Sequence, residues 1–173
     1  MEGYQMADIV VRPAREDEWA AAGAITVAAY QADRHIDSHT GGYADKLVDA
    51  RTRAREAELL VAVDAENTVL GTVTVVQPGT SYAEVSRDGE VEFRMLAVSP
   101  SARGRGVGEV LVRAVVVRAR ELGARRLVMS SSEHMTTAHR LYQRLGFQRL
   151  PERDWQPVPG VDVMALGFSL ELA

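Results

Sequence analysis

The chain has 173 residues, 46% hydrophobic and 25% charged, with a formal net charge of -4. That length and apolar content fit a soluble globular domain with a real core, and the mild negative charge excludes the broad electrostatic footprint of a nucleic-acid or anionic-membrane binder. The absence of cysteine excludes disulfides, thiolate metal sites and a covalent acyl-cysteine intermediate and agrees with a cytoplasmic setting, while no segment reads as a signal peptide or approaches the ~20 apolar residues of a membrane helix.

Residues 1–7 read as a flexible start, and the whole chain, 1–173, as one domain without repeat or linker. Residues 8–14 (DIVVRPA) predict a short strand. Residues 15–33 follow as a helix, with Glu16, Asp17 and Glu18 in its first turn and an alanine-rich face. Gly41 and Gly42 make residues 34–43 a loop, and residues 44–57 have helical spacing with many arginines. The β-branched runs 58–64 and 69–77, joined by the turn-forming AEN, predict an antiparallel hairpin. Residues 90–98 (EVEFRMLAV) form a further strand, first alternating and then apolar on both faces through Leu96, Ala97 and Val98, so its second half is expected to be buried on both sides.

A helix over 109–122 closes on Gly123, the next strand covers 124–130, and a short helix with a Thr cap ends at Gly146. Residues 147–150 and 161–172 finish the chain as strands around a Pro-rich loop. Strand, helix, strand and helix from 90 to 146 require a parallel pair with a crossover, whereas the first half supplies antiparallel strands. The expected fold class is therefore mixed α/β, a mixed sheet with helices on both faces.

Residues 103–108, RGRGVG, stand between the strand and the long helix. A nucleoside-triphosphate loop needs a lysine and hydroxyl pair that is missing here, and a dinucleotide fingerprint needs glycine where the chain has Glu109. A third reading is a glycine turn at a helix N-terminus, where backbone N–H groups and the helix dipole favour an anion. Gly104, Gly106 and Gly108 would let the backbone approach phosphate oxygens, and Arg103 and Arg105 would add charge-assisted hydrogen bonds. A plain polar turn with glycines for flexibility is the alternative.

With MLAVSP before this loop and AHRLYQRLGF after the next strand, the stretch 90–150 resembles the acetyl-CoA-dependent N-acetyltransferase (GNAT) superfamily. Its pattern R/Q-x-x-G-x-G/A matches at Arg103, Gly106 and Gly108. The resemblance implies a central, mostly antiparallel sheet of about six to seven strands with one parallel pair that splays apart. It further implies acetyl-CoA as co-substrate, its pyrophosphate on residues 103–108, including Val107, and its pantetheine arm on the main chain of Leu96, Ala97 and Val98. Tyr142 takes the place of the family tyrosine near the sulfur and is the expected acid; Glu92 takes the place of a catalytic glutamate found in some members and is the expected base. The alternatives are a core tyrosine at helical spacing and an exposed strand glutamate paired with Arg94.

The family often has asparagine where this chain has Met135, and His134, Thr136 or Thr137 are the expected substitutes for its contact. Ser130, Ser131 and Ser132 offer hydroxyls near the pantetheine. No metal is expected, because His35 and His39 lie in a loop; with Asp37, Tyr43 and Trp155, His35 reads instead as an acceptor contact. The basic run Arg118, Arg120, Arg125 and Arg126 is a solvated surface or supplies a contact to the 3′-phosphate. The expected activity is transfer of acetyl to a primary amine of a small-molecule or peptide acceptor by direct attack in a ternary complex. A non-catalytic acyl-CoA sensor, or an acyltransferase with a longer acyl donor, is the alternative; a homodimer through the final strand is compatible with either.

Overall fold

The computed structural model describes residues 3–32 and 43–172. Its first half runs β1 (Tyr4–Met6), β2 (Ile9–Pro13), α1 (Trp19–Ala32), α2 (Tyr43–Val48), α3 (Ala50–Glu56), β3 (Glu58–Val63) and β4 (Val69–Val76). Its second half runs β5 (Glu90–Val98), α4 (Val107–Glu121), β6 (Arg126–Ser132), α5 (Thr136–Arg144), β7 (Gln148–Arg149) and β8 (Ala165–Glu171). The strands form one sheet in the order β1-β2-β3-β4-β5-β6-β8-β7. Among the described residues β5 and β6 alone pair in parallel, and α4 is their crossover.

The continuous apolar run of β3 has a two-sided cause. Leu60 and Ala62 face the core beneath α4, with Val73, Val75, Val110, Leu111 and Ala114, while Leu59, Val61 and Val63 face Ala22 of α1 and Ala50 of α3. Successive strand residues point to opposite faces, so a strand covered on both sides is apolar at every position.

Several expectations change. The eighth strand is β1: residues 4–6, expected in a flexible start, turn back at Ala7 (φ 54) and pair with Ile9–Val11. The single helix over 44–57 is two, because the Asp49 side chain accepts the Thr52 N–H and caps α3. At α5 the N-cap is Met135, without a side-chain cap bond. The last strand begins only at Ala165 and lies between β6 and β7.

The largest change concerns β5, whose burial runs opposite to expectation. Its first half is buried on both faces and its second half alternates. Glu90 and Glu92 are 2% and 0% exposed, since residues 84–86 and the turn Pro151–Arg153 cover that face. Glu90 accepts Arg153 Nη1 and Nη2 at 2.9 and 3.1 Å and the Arg87 N–H at 2.8 Å. Burial pushes the Glu90 carboxyl up, but Arg153 and the Arg87 amide outweigh it and hold it below its ordinary value.

This pair locks the 151–153 turn to the start of β5. Without Arg153 the buried Glu90 keeps only Arg126, at 3.4 Å, and the Arg87 N–H as partners. Arg153→Ala is therefore expected to lower the unfolding free energy in urea by about 1–3 kcal/mol. Because the Glu90 pKa is lower folded than unfolded, its contribution is present above the usual carboxylate range and is lost as pH falls through the folded value. Wild type should lose stability in that acid window, and Arg153→Ala should lose less.

Candidate active site

The parallel ladder between β5 and β6 holds for three residue pairs, Glu90–Arg126, Val91–Leu127 and Glu92–Val128, and then ends. On the other side of β5 the register with β4 slips between Thr72–Ala97 and Thr74–Arg94. Met95 sits in that slip with φ 55, an uncommon value for a residue with a side chain. The bulge re-aims β5 as β6 departs. Leu96, Ala97 and Val98 thus edge a gap in which main-chain groups have no β6 residue opposite them.

At the far end of the gap stands the α4 N-terminus. Gly104 and Gly106 have φ 80 and 78, and Gly106 is the N-cap. Both conformations favour glycine, and no neighbour crowds a Cβ built at either position. The first N–H groups of a helix lack intrahelical partners and carry its positive dipole end. Glu109, whose charge would oppose an anion here, pairs with Arg113 at 3.3 Å and Arg144 at 4.0 Å. A cavity of ≈ 690 Å³ follows, lined by Leu96, Ala97, Val98, Arg103, Gly104, Gly106, Val107, Gly108, Thr137 and Tyr142 among others. Of the expected cofactor residues, Arg105 does not line it. Ser130 lines the neighbouring cavity instead and accepts the Trp155 indole N–H at 3.1 Å.

That second cavity, ≈ 750 Å³, opens on the other side of the gap between Tyr30, Tyr43, Tyr82, Trp155 and the loop carrying Val158 and Val161. Both volumes suit a small molecule. The cavities share Tyr30, Leu96, Met135 and Tyr142, which marks where a molecule in one would meet a molecule in the other. Tyr142 is 3% exposed and packs edge-on against Phe93 at 5.9 Å; burial holds its phenol well above the usual tyrosine range. Met135 brings a thioether to the shared wall and accepts the Ser131 hydroxyl at 3.6 Å, while the His139 ring lies 3.1 Å from that hydroxyl. Tyr43 and Trp155, which the sequence offered as acceptor contacts, line the second cavity; His35, Asp37 and His39 lie outside the described residues.

Other sequence candidates lie away from the gap. Arg118 is bound to Glu58 and Glu121, and Arg126 to Glu90 and Glu171. Tyr30, Tyr82 and Glu84 were not legible as site residues. Tyr30 lies in the last turn of a helix that is apolar nearly all round, and the other two lie in an irregular segment, so no periodicity singles them out. Glu84 lines the second cavity, and its Oε1 meets Arg94 Nε at 2.5 Å.

Comparison with known proteins bears on this geometry. The model of the Acetyltransferase (GNAT) family matches residues 24–147. An uncharacterized N-acetyltransferase of Schizosaccharomyces pombe is 32% identical over 111 residues, 64% of this chain and 64% of its own length. Mycothiol acetyltransferase of Cellulomonas flavigena is 30% identical over 112 residues, 60% of this chain and 32% of its own length. The chain thus spans less than two thirds of either relative. An N-acetyltransferase from Staphylococcus aureus Mu50 has a TM-score of 0.72 at 20% identity, covering 96% of this chain and 100% of its own. The acetyltransferase yncA of Salmonella typhimurium, solved with its cofactor acetyl-CoA, has a TM-score of 0.67 at 21% identity, covering 96% and 95%. These structures share the fold.

Glu92, the expected base, requires a correction. It lines neither cavity, and its Oε1 accepts the N–H groups of Glu84, Val85 and Ser86 at 3.0, 3.2 and 3.2 Å and the Ser86 hydroxyl at 2.9 Å. Oε2 also faces the Glu84 N–H, at 3.3 Å. A carboxylate so enclosed anchors the 84–86 turn. It is not an exposed strand residue paired with Arg94 either, since Arg94 pairs with Glu84. Glu92→Ala should leave those donors unpaired at roughly 1–3 kcal/mol per buried group. The expected result is a lower urea midpoint and faster amide exchange at residues 84–86, whereas a purely catalytic role would leave both unchanged.

Proposed function

The chain belongs to the acetyltransferase (GNAT) family, and from that premise we propose that it transfers the acetyl group of acetyl-CoA to a primary amine by direct attack in a ternary complex. The observation that carries this reading is the meeting of two cavities at Leu96 and Tyr142, where β5 and β6 part. One cavity ends on a helix N-terminus with left-handed glycines, the feature an anionic pyrophosphate requires. Its walls along β5 offer main-chain hydrogen bonds for an amide-bearing arm such as pantetheine. Arg103, which lines that cavity, adds positive charge near the phosphates. The other cavity takes the acceptor.

In this arrangement the amine nitrogen attacks the thioester carbonyl carbon, and the carbon–sulfur bond breaks as the tetrahedral centre collapses. Charge that develops on the carbonyl oxygen is met by backbone N–H groups of β5 around Leu96 and Ala97. Tyr142 gives a proton to the departing sulfur. The burial that raises its pKa keeps it protonated at neutral pH. The same apolar surroundings raise the proton affinity of a thiolate, which lessens the uphill cost of that transfer.

Thiol release from acetyl-CoA, followed across a panel of primary amines, tests the proposal, and a cysteine-free protein adds no background. At least one amine should give turnover that saturates in both substrates; release with no amine dependence would contradict the reading. Tyr142→Phe keeps the ring contacts and removes the proton, so kcat should fall by roughly 10²-fold or more with the KM for acetyl-CoA little changed. An unchanged kcat would remove Tyr142 from the chemistry.

A further inference from the structure

Amine acylation needs a group that removes a proton from the ammonium form of the acceptor, and among the described residues three carboxylates line the acceptor cavity: Asp49, Glu56 and Glu84. They are not equivalent. Asp49 caps α3 through the Thr52 N–H and hydroxyl at 3.1 and 2.6 Å, and these bonds hold its carboxyl below the usual range, which makes it a poor base. Glu56 closes α3 and spends one carboxylate oxygen on the Ser81 hydroxyl, at 2.5 Å.

Glu84 is tethered to β5 twice. Its backbone N–H is bound by Glu92, and its Oε1 by Arg94 Nε. Arg94 is fixed in turn by the Tyr82 carbonyl at 2.9 Å and by the Tyr82 ring, 5.9 Å below its guanidinium. It stands two residues before Leu96, which belongs to both cavities. The enclosed Glu92 thus holds its neighbour in a cavity it does not itself reach.

We infer that Glu84 is the base that receives a proton from the acceptor ammonium, through Oε2. The inference rests on the acetyl-transfer reading and deepens it. Of the three ammonium protons, one goes to Glu84, freeing the lone pair that forms the nitrogen–carbon bond. A second leaves nitrogen as the tetrahedral centre collapses and replaces the proton that Tyr142 gives to sulfur; the third stays on the amide. Glu84 then returns its proton to water. Arg94 and Glu92 on β5 and Lys46 and Tyr43 on α2 face this carboxyl. Burial raises its proton affinity and Glu92 adds to the rise, against Arg94 and Lys46, and the balance lies above the usual glutamate value. A base in that condition is better matched to neutral pH than an ordinary carboxylate.

The test is kcat/KM against pH for wild type, Glu84→Gln and Glu84→Asp with the best amine from the panel, beside calorimetric titration of each with acetyl-CoA. Glu84→Gln should lose roughly 10²–10⁴-fold at pH 7 and lose the acid limb of the wild-type profile, while its affinity for acetyl-CoA stays within about twofold. Its deficit should shrink as pH approaches the amine pKa, about 10 for a lysine-like acceptor, because free amine needs no base. Glu84→Asp should keep the limb at reduced rate. An intact limb, or a raised KM with unchanged kcat, overturns the inference and leaves acetyl transfer standing. Wild type that binds no acetyl-CoA overturns both.

Discussion

The separation of β5 from β6 after three paired residues is the constraint from which the rest of the site follows. A sheet that continued its ladder would satisfy the main chain of Leu96, Ala97 and Val98 and close the gap. Two features prevent that closure. The bulge at Met95 re-aims β5, and α5, seated after β6, fills the divergence with Tyr142 instead of a strand. The β4 side of this stretch stays paired, Thr72 with Ala97 and Gly71 with Val98, and the β6 side is the edge left open.

The half of β5 that remains paired carries the opposite burden. Glu90 and Glu92 are fully enclosed charges, and each serves as an anchor: Glu90 for the 151–153 turn through Arg153, Glu92 for the 84–86 turn through backbone donors. Those segments border the walls of the second cavity, which includes Glu84 and Trp155. A rigid strand thereby positions two irregular segments that have little regular hydrogen bonding of their own. Hydrogen-bonded buried carboxylates cost less than bare ones, and their specificity of placement accounts for their use at this position.

Much of this was legible in the sequence, and the reasons for success and failure are physical. The β5–α4–β6–α5 core could be read because Val91, Phe93, Val110, Leu111 and Ala114 recur at strand and helix periods, and because Arg103, Gly106 and Gly108 match the pattern on which the resemblance to the GNAT family rests. The burial of Glu90 and Glu92 could not, since period-two alternation places them on the polar face and the segments that cover that face have no period. The break at Asp49 was hidden for a related reason: an aspartate inside a helical pattern reads as surface until its cap bond to Thr52 is seen. Glu84 likewise carries no local signal, and its place in the cavity arises from the tether to Glu92 and the pairing with Arg94.

Calorimetric titration with acetyl-CoA, beside free CoA, ATP and NAD, asks whether the glycine turn before α4 and the gap beside it form a cofactor site. Saturable binding of acetyl-CoA at one site, well above ATP and NAD, is expected, and it should be lost in Gly106→Glu, where a left-handed backbone is strained and a carboxylate opposes the phosphates. Equal binding of ATP, or acetyl-CoA binding unaffected by Gly106→Glu, would contradict a cofactor site there.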